Sequence, residues 1–327
     1  MVSQRQTLIR PPPLDPAKSS MENALDLLRL SDIGPDIFTN AQPLWRPIGA
    51  RGIFGGCVIA QCLGAAQLTV PEDFNIHSMH CYFVLAGDPD IPILYHVERV
   101  RDGKSFATRT VQARQRGKCV FTTTCSFVKE NSGGKKTVEH STPMPAVEGP
   151  FDDDPEIAGV PFQNQQVGIL NEHASMPHVK KTRQWVKATG KISAAGGHQA
   201  HLNALAYVSD SNFLHTISRV HGLSKVKSRQ NAGAHGAQSE RDGGGGPDLK
   251  PEIGMIVSLD HTIFFHRPRA FRADEWMLSE MEVPWAGDGR GLVLQRMFTR
   301  DGQLVATCVQ EGLIRLRQEP EPSKSKL

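Results

Sequence analysis

The chain repeats itself, and that constrains its fold more than any other feature. Residues 117–128, GKCVFTTTCSFV, lie over residues 302–313, GQLVATCVQEGL, with Gly117 over Gly302 in a hairpin turn. HCYFVLA (80–86) lies over TIFFHRP (262–268). The surroundings match as well. RGIFGGCVIAQCLGAAQLTVP (51–71) opens on glycines and fills with small and apolar residues, which predicts a buried helix from about Phe54 to Thr69. Strand-like runs follow near 76–84, 92–101, 105–116 and 119–129. Later, TRQWVKATGKI predicts a strand and QAHLNALAYVSDSNFLHTI (199–217) a helix. Strands are then expected in MIVSLDHTIFFHRP, EWMLSEMEV, GLVLQRMFTR and QLVATCVQEGLIRL. This is an α+β pattern: two tandem copies of a long helix wrapped by an antiparallel sheet. Two such copies in one chain are expected to form a pseudo-twofold pair, as in an isologous dimer.

The boundaries follow from the repeats. Residues 1–20 read as a disordered lead-in, 21–130 as the first repeat, 131–179 as a connecting segment and 180–317 as the second repeat. MENALDLLRLSDIG, near the start of the first repeat, predicts a short amphipathic helix. Within the second repeat, 224–252 is polar and glycine-rich and reads as a disordered insertion. Residues 318–327 read as an exposed tail ending in Ser325, Lys326 and Leu327, a receptor-read peroxisomal address. No apolar run approaches the roughly 20 residues of a membrane span, and the N-terminus lacks the apolar core of a signal peptide. The formal charge of +3 argues against nucleic acid as a partner and suits a small anionic ligand. Six cysteines without a C-x-x-C pair, most in apolar runs, read as buried free thiols rather than disulfides or metal ligands.

In a duplicated scaffold the informative positions are those where one copy breaks the pattern. In the last strand one face carries Leu304, Ala306, Cys308, Gln310, Gly312, Ile314 and Leu316, and Gln310 alone on it is polar. Gln310 lies over Cys125 of the first copy, and Ser258 lies over Ile76. On the second helix Asp210 falls between Ala206 and Leu214 in the apolar stripe. Each has an ordinary reading: Gln310 as a core amide bonded to backbone, Asp210 as a helix-end cap. Together, a carboxylate, a hydroxyl and an amide on the inward side of one repeat can hold and polarise a water, with the carboxylate as general base. His77, His80 and His261 read first as structural histidines, with His77 kept as a secondary site residue. DGKS resembles the end of a phosphate loop, but Glu98 stands where its first glycine belongs. No G-x-S-x-G or H-E-x-x-H motif is present.

The runs FGGCVIAQCLGAA, HSMHCYF, RDGKSFATRTVQARQRGK, YVSDSNFL, SLDHTIFFHRP and DGQLVATCVQEGLIR resemble the acyl-CoA thioesterase II family over roughly residues 22–130 and 180–317. The resemblance implies a double hotdog fold and hydrolysis of fatty acyl-CoA to free fatty acid and CoA, with no cofactor and no metal. It carries the family's catalytic Asp onto Asp210, its Ser/Thr onto Ser258 and its Gln onto Gln310. Where many members continue FGG with Gln, this chain has Cys57. Backbone N–H groups at Gly55 and Gly56, at the start of the first helix, are candidate donors to the oxyanion. Arg51, Arg101, Lys104, Arg183 and Arg267 are available to CoA, and nothing in the sequence ranks them. The expected partners are fatty acyl-CoA and the peroxisomal import receptor, the expected location is the peroxisomal matrix, and a homo-oligomer stays open. Two alternatives are a hotdog enoyl-CoA hydratase, whose D-x-x-x-x-N-P-x-H run is missing, and a non-catalytic acyl-CoA-binding protein.

Overall fold

The computed structural model describes residues 11–47, 52–151, 160–223 and 251–318. In chain order its elements are α1 (Ser20–Leu25), β1 (Leu27–Arg29), β2 (Ile37–Asn40), α2 (Gly55–Gln67), β3 (Phe74–Phe83), β4 (Leu94–Asp102), β5 (Phe106–Gln115) and β6 (Lys118–Lys129). There follow β7 (Phe162–Leu170), β8 (Lys181–Ala188), α3 (Gly197–Ser209), α4 (His215–Val220), β9 (Ile253–Ser258), β10 (Asp260–Phe265), β11 (Met277–Gly287), β12 (Arg290–Thr299) and β13 (Leu304–Leu316). Among the described residues the strands join one antiparallel sheet in the order β1-β2-β4-β5-β6-β3-β10-β13-β12-β11-β8-β7, with β9 paired to β13. The order is mirrored about the β3–β10 seam, as two fused copies require. At that seam His80 pairs with Thr262, the residue it matched in the repeat. Equivalent residues meet only at a twofold, so the pseudo-axis passes there.

α2 and α3 run against each other inside the curved sheet, the arrangement of a double hotdog. α2 is buried along nearly its whole length, which is why its sequence is small and apolar all round rather than striped. The contact is close enough to require glycine: a Cβ on Gly56 would lie 2.2 Å from the Tyr207 carbonyl oxygen on α3. A capping box starts α1, with Ser19 and Glu22 bonded reciprocally, and Glu22 also accepts from Ser193 of the second repeat.

Four local expectations are corrected. The helix expected over MENALDLLRLSDIG stops at Leu25; its C-cap Asp26 donates its backbone N–H to the Asn23 carbonyl while its side chain accepts the Leu27 N–H, and Leu27–Arg29 pair with β2 as a strand. The expected connecting segment, 131–179, contains β7, which pairs with β8. The helix expected over 199–217 breaks at Asp210 into α3 and α4. There the short polar side chains of S-D-S-N compete with the helical backbone. Gln184 clamps the break, donating to the Ser211 carbonyl at 2.9 Å and accepting from Asn212 at 2.9 Å, while Asn212 takes φ +57°.

The single strand expected over 255–268 is interrupted by a bulge. Ser258 pairs with Gly312 and Thr262 with Val309, so four steps on one strand face three on the other. Asp260 accepts the Glu311 N–H at 2.8 Å, satisfying the ladder there. The expected run GLIRL continues β13, and the six cysteines are all free.

Candidate active site

The bulge has a chemical result. In a regular strand, residues three apart face opposite sides of the sheet. The extra residue shifts that phase, so Ser258 and His261 both point inward, toward Gln310 on β13. Gln310 Nε2 donates to Ser258 Oγ at 2.6 Å, and Gln310 Oε1 lies 2.7 Å from His261 Nδ1. His261 Nε2 lies 3.0 Å from Ser209 Oγ, the last residue of α3. Gln310 and His261 have no exposed surface, and the Phe213 ring meets the imidazole edge-on with centroids 5.2 Å apart.

Asp210 follows Ser209 and caps the end of α3. The cap reading and the site reading therefore describe the same residue. α2 has no side-chain cap of its own, and Asp210 supplies one from the other repeat: its Oδ2 accepts the Gly56 N–H at 3.0 Å. A Cβ on Gly55 would meet the same oxygen at 2.7 Å, so glycine gives the carboxylate its seat. The residue keeps some accessible surface while protein surrounds its carboxyl group. That burial raises the carboxyl pKa to about 7, against the opposing pull of the Gln310 amide and the Gly56 N–H. Burial likewise lowers His261 to about 4, opposed by Gln310, so the imidazole is neutral at physiological pH. An aromatic group of Trp45, Phe54, Phe162 and Tyr207 closes the side next to Gly56, with Phe54 and Tyr207 centroids 5.0 Å apart.

Asp210, Ser258 and Gln310 thus come together, and Gly55 and Gly56 adjoin them. The Gly56 N–H is engaged by Asp210 rather than open to an oxyanion. His77 stands apart. It bonds Ser126 Oγ at 2.8 Å and packs edge-on against Phe106. It is six residues along β3 from Phe83, the ring beside Gly55 and Asp210, or about 20 Å at 3.3 Å per residue. Of the candidate cations, Arg183 is bonded to Glu280 at 2.7 Å, Arg51 lies outside the described residues, and no described contact ties Arg101, Lys104 or Arg267 to the cluster. A cavity of about 510 Å³ lined by Phe271, Trp276 and Arg300 is far from these groups, at the opposite ends of β10 and β13. The enclosed polar cluster, not that open groove, is the chemically distinctive place. Among the described residues no group of His, Cys, Asp or Glu could hold a metal ion.

The first repeat is apolar at the places that match Asp210, Ser258, His261 and Gln310. Leu68 caps α2 where Asp210 caps α3. Ile76 matches Ser258, and the paired Met79 and Cys125 match His261 and Gln310. His261 is the member of the cluster that residue type alone did not single out. The repeat comparison contained its signal, a histidine over a buried methionine.

Comparisons with known proteins agree in kind. A family model described as the acyl-CoA thioesterase N-terminal domain matches residues 41–128, and one described as the acyl-CoA thioesterase C-terminal domain matches 138–314. The chain is 36% identical to acyl-coenzyme A thioesterase 8 of Mus musculus, covering 92% of this chain and 91% of that protein. It is 25% identical to peroxisomal acyl-coenzyme A thioester hydrolase 1 of Saccharomyces cerevisiae, over 91% of this chain and 96% of that one. The crystal structure of acyl-CoA thioesterase II TesB2 from Mycobacterium marinum superposes with a TM-score of 0.68 at 30% identity, over 93% of this chain and all of that one (100%).

Proposed function

This chain belongs to the acyl-CoA thioesterase II family and hydrolyses acyl-CoA, and we propose that Asp210, Ser258 and Gln310 carry out that hydrolysis, releasing free fatty acid and CoA. The observation that supports this reading is the buried carboxyl of Asp210 beside a bonded amide and hydroxyl, in one repeat only. With a pKa of about 7 the carboxylate is a general base suited to neutral pH. It takes a proton from a water whose oxygen attacks the thioester carbonyl carbon. The C–S bond then breaks, and the proton held by Asp210 goes to the CoA sulfur. Gln310 donates to the Ser258 oxygen, which leaves the Ser258 proton for the water and draws electron density from the hydroxyl. That favours Ser258 as an orienting group over Ser258 as the nucleophile. The Gly55 N–H, at the positive end of α2, is the proposed donor to the oxyanion.

Among the described residues no helix is long and apolar enough to cross a membrane. We place the enzyme in the peroxisomal matrix, a reading supported by the peroxisomal name of the yeast relative. Ser325, Lys326 and Leu327, the proposed contact of an import receptor, lie outside the described residues. A fluorescent protein carrying residues 318–327 at its C-terminus tests that part: diffuse signal excludes the tripeptide as an address. The chemistry is tested by CoA thiol release from palmitoyl-CoA with the parent and Asp210→Asn. Asn keeps the shape and removes the base, so a fall of about 100-fold or more in kcat is expected. Equal turnover by the two proteins removes Asp210 from the mechanism.

A further inference from the structure

The Gln310 amide can face two ways, and only one serves the site described above. With Oε1 turned toward Ser258 and Asp210, an acceptor would face the carboxylate. With the NH2 turned there, it donates to Ser258 Oγ and supports the ionised carboxylate. What decides the orientation is the group on the other side of the amide, and that group is His261, 2.7 Å away. The imidazole is itself directed. Ser209 Oγ lies 2.9 Å from the Ala206 carbonyl and 3.0 Å from His261 Nε2 and has one proton to give. If that proton goes to Nε2, the neutral ring carries its own on Nδ1 and donates it to Gln310 Oε1. If it goes to Ala206, the ring carries its proton on Nε2, and the amide must flip to meet a bare Nδ1.

We propose that His261 is a positioning residue for thioester hydrolysis: in its Nδ1–H tautomer, its Nδ1–H fixes the Gln310 carbonyl so that the amide NH2 faces Ser258 and Asp210. This rests on the site reading above. The geometry carries it: three consecutive side-chain hydrogen bonds run from α3 through β10 to β13 and on to Ser258 at the bulge. The low basicity of the buried ring adds that the imidazole stays neutral and keeps a distinct tautomer. The first repeat, with Met79 and Cys125 at the same pair of positions, has neither the orienting group nor an amide to orient.

The test is a mutant cycle read by steady-state hydrolysis of palmitoyl-CoA. His261→Leu removes the donor and is expected to lower kcat by about 10- to 100-fold with KM within about twofold. His261→Asn places an amide nitrogen near the Nδ1 position and is expected to recover most of that loss. In a Gln310→Met background, His261→Leu is expected to cost less than about twofold further, because the group it orients is gone. Multiplicative losses, a rise in KM without a fall in kcat, or an Asn variant no better than Leu each overturn the proposal. Unchanged turnover in Gln310→Met alone overturns the site reading, and this inference with it. Should the Leu variant fail to fold, 15N NMR of histidine-labelled parent protein reads the tautomer directly. A His261 signal protonated on Nδ1 and bare on Nε2 supports the proposal, and the opposite pattern refutes it.

Discussion

Asp210→Asn is expected to gain stability relative to the parent protein as pH rises while it loses activity, and the size of the gain follows from the surroundings of the carboxyl group. An unfolded Asp titrates near its ordinary value of 3.8, while burial holds Asp210 at about 7 in the fold. Below the lower value both states are protonated and the group contributes no difference. Between the two values the folded state keeps a proton that the unfolded state has lost, so stability falls as pH rises. Above about 7 both states are ionised and the loss levels off. Each pH unit in the window is worth about 1.4 kcal/mol, which sets a ceiling of about 4 kcal/mol for the whole window. Between pH 5 and pH 8 about two units of it are crossed, or about 3 kcal/mol at the ceiling. Relaxation around the carboxyl and its partial exposure reduce this to about 1.5 kcal/mol. For a chain of this size that is about 3 °C in Tm. The assay is thermal unfolding of parent and Asp210→Asn at both pH values. The quantity to read is the Asn-minus-Asp difference at pH 8 minus the same difference at pH 5. That subtraction cancels the pH-independent cost of fitting an amide against the Gly56 N–H and the Gln310 NH2. A double difference of zero, or of negative sign, would mean that Asp210 ionises as an ordinary carboxyl, and its role as a base tuned to neutral pH would fail.

The pH dependence of turnover gives the matching kinetic limb: kcat/KM for palmitoyl-CoA is expected to rise through an apparent pKa near 7, about tenfold from pH 6 upward, and a flat profile over pH 5–7 contradicts it. Asp260→Ala leaves the Glu311 N–H without its acceptor at the bulge and is expected to cost about 1–3 kcal/mol with a fall in kcat; Asp260→Asn, which keeps an acceptor oxygen, should restore both in urea titration and kinetics. Gly56→Ala drives a Cβ to within 2.2 Å of backbone on α3, and a loss of about 3 kcal/mol or insoluble protein is expected on expression and thermal melting. Burial pushes the Cys57 and Cys125 thiols up to about 12 and leaves only Cys119 partly exposed, so a chromogenic disulfide at pH 8 should titrate about one thiol at most in the native protein and all six in urea.

The duplication was legible because side-chain periodicity and turn glycines record strand pairing directly, and the same comparison exposed Gln310 and Ser258. The break after Ser209 was harder to read, since apolar residues at helical spacing continue through Phe213, Leu214 and Ile217. What stops α3 is Gln184, a clamp from a distant strand. The bulge at Leu259 is invisible to a two-residue alternation, and it alone brings Ser258 and His261 to the same face. His77 lies apart from the cluster for a related reason: its register position matches Leu259, so it occupies the corresponding bulge of β3 and is held there by Ser126. Three-dimensional reach, rather than residue type, separated the two histidines.

Asp210 comes from the second repeat, and the helix start that it seats against comes from the first. The proposed site is therefore shared between the repeats, and neither half of the chain holds it alone. Cutting the chain between the repeats would yield two fragments, each lacking a part the other holds, and activity would return only when unlike halves met. A single continuous chain guarantees that meeting in every molecule, in strict one-to-one ratio and at high local concentration. It also leaves Ile76, Met79 and Cys125, the buried first-repeat counterparts of Ser258, His261 and Gln310, to packing alone.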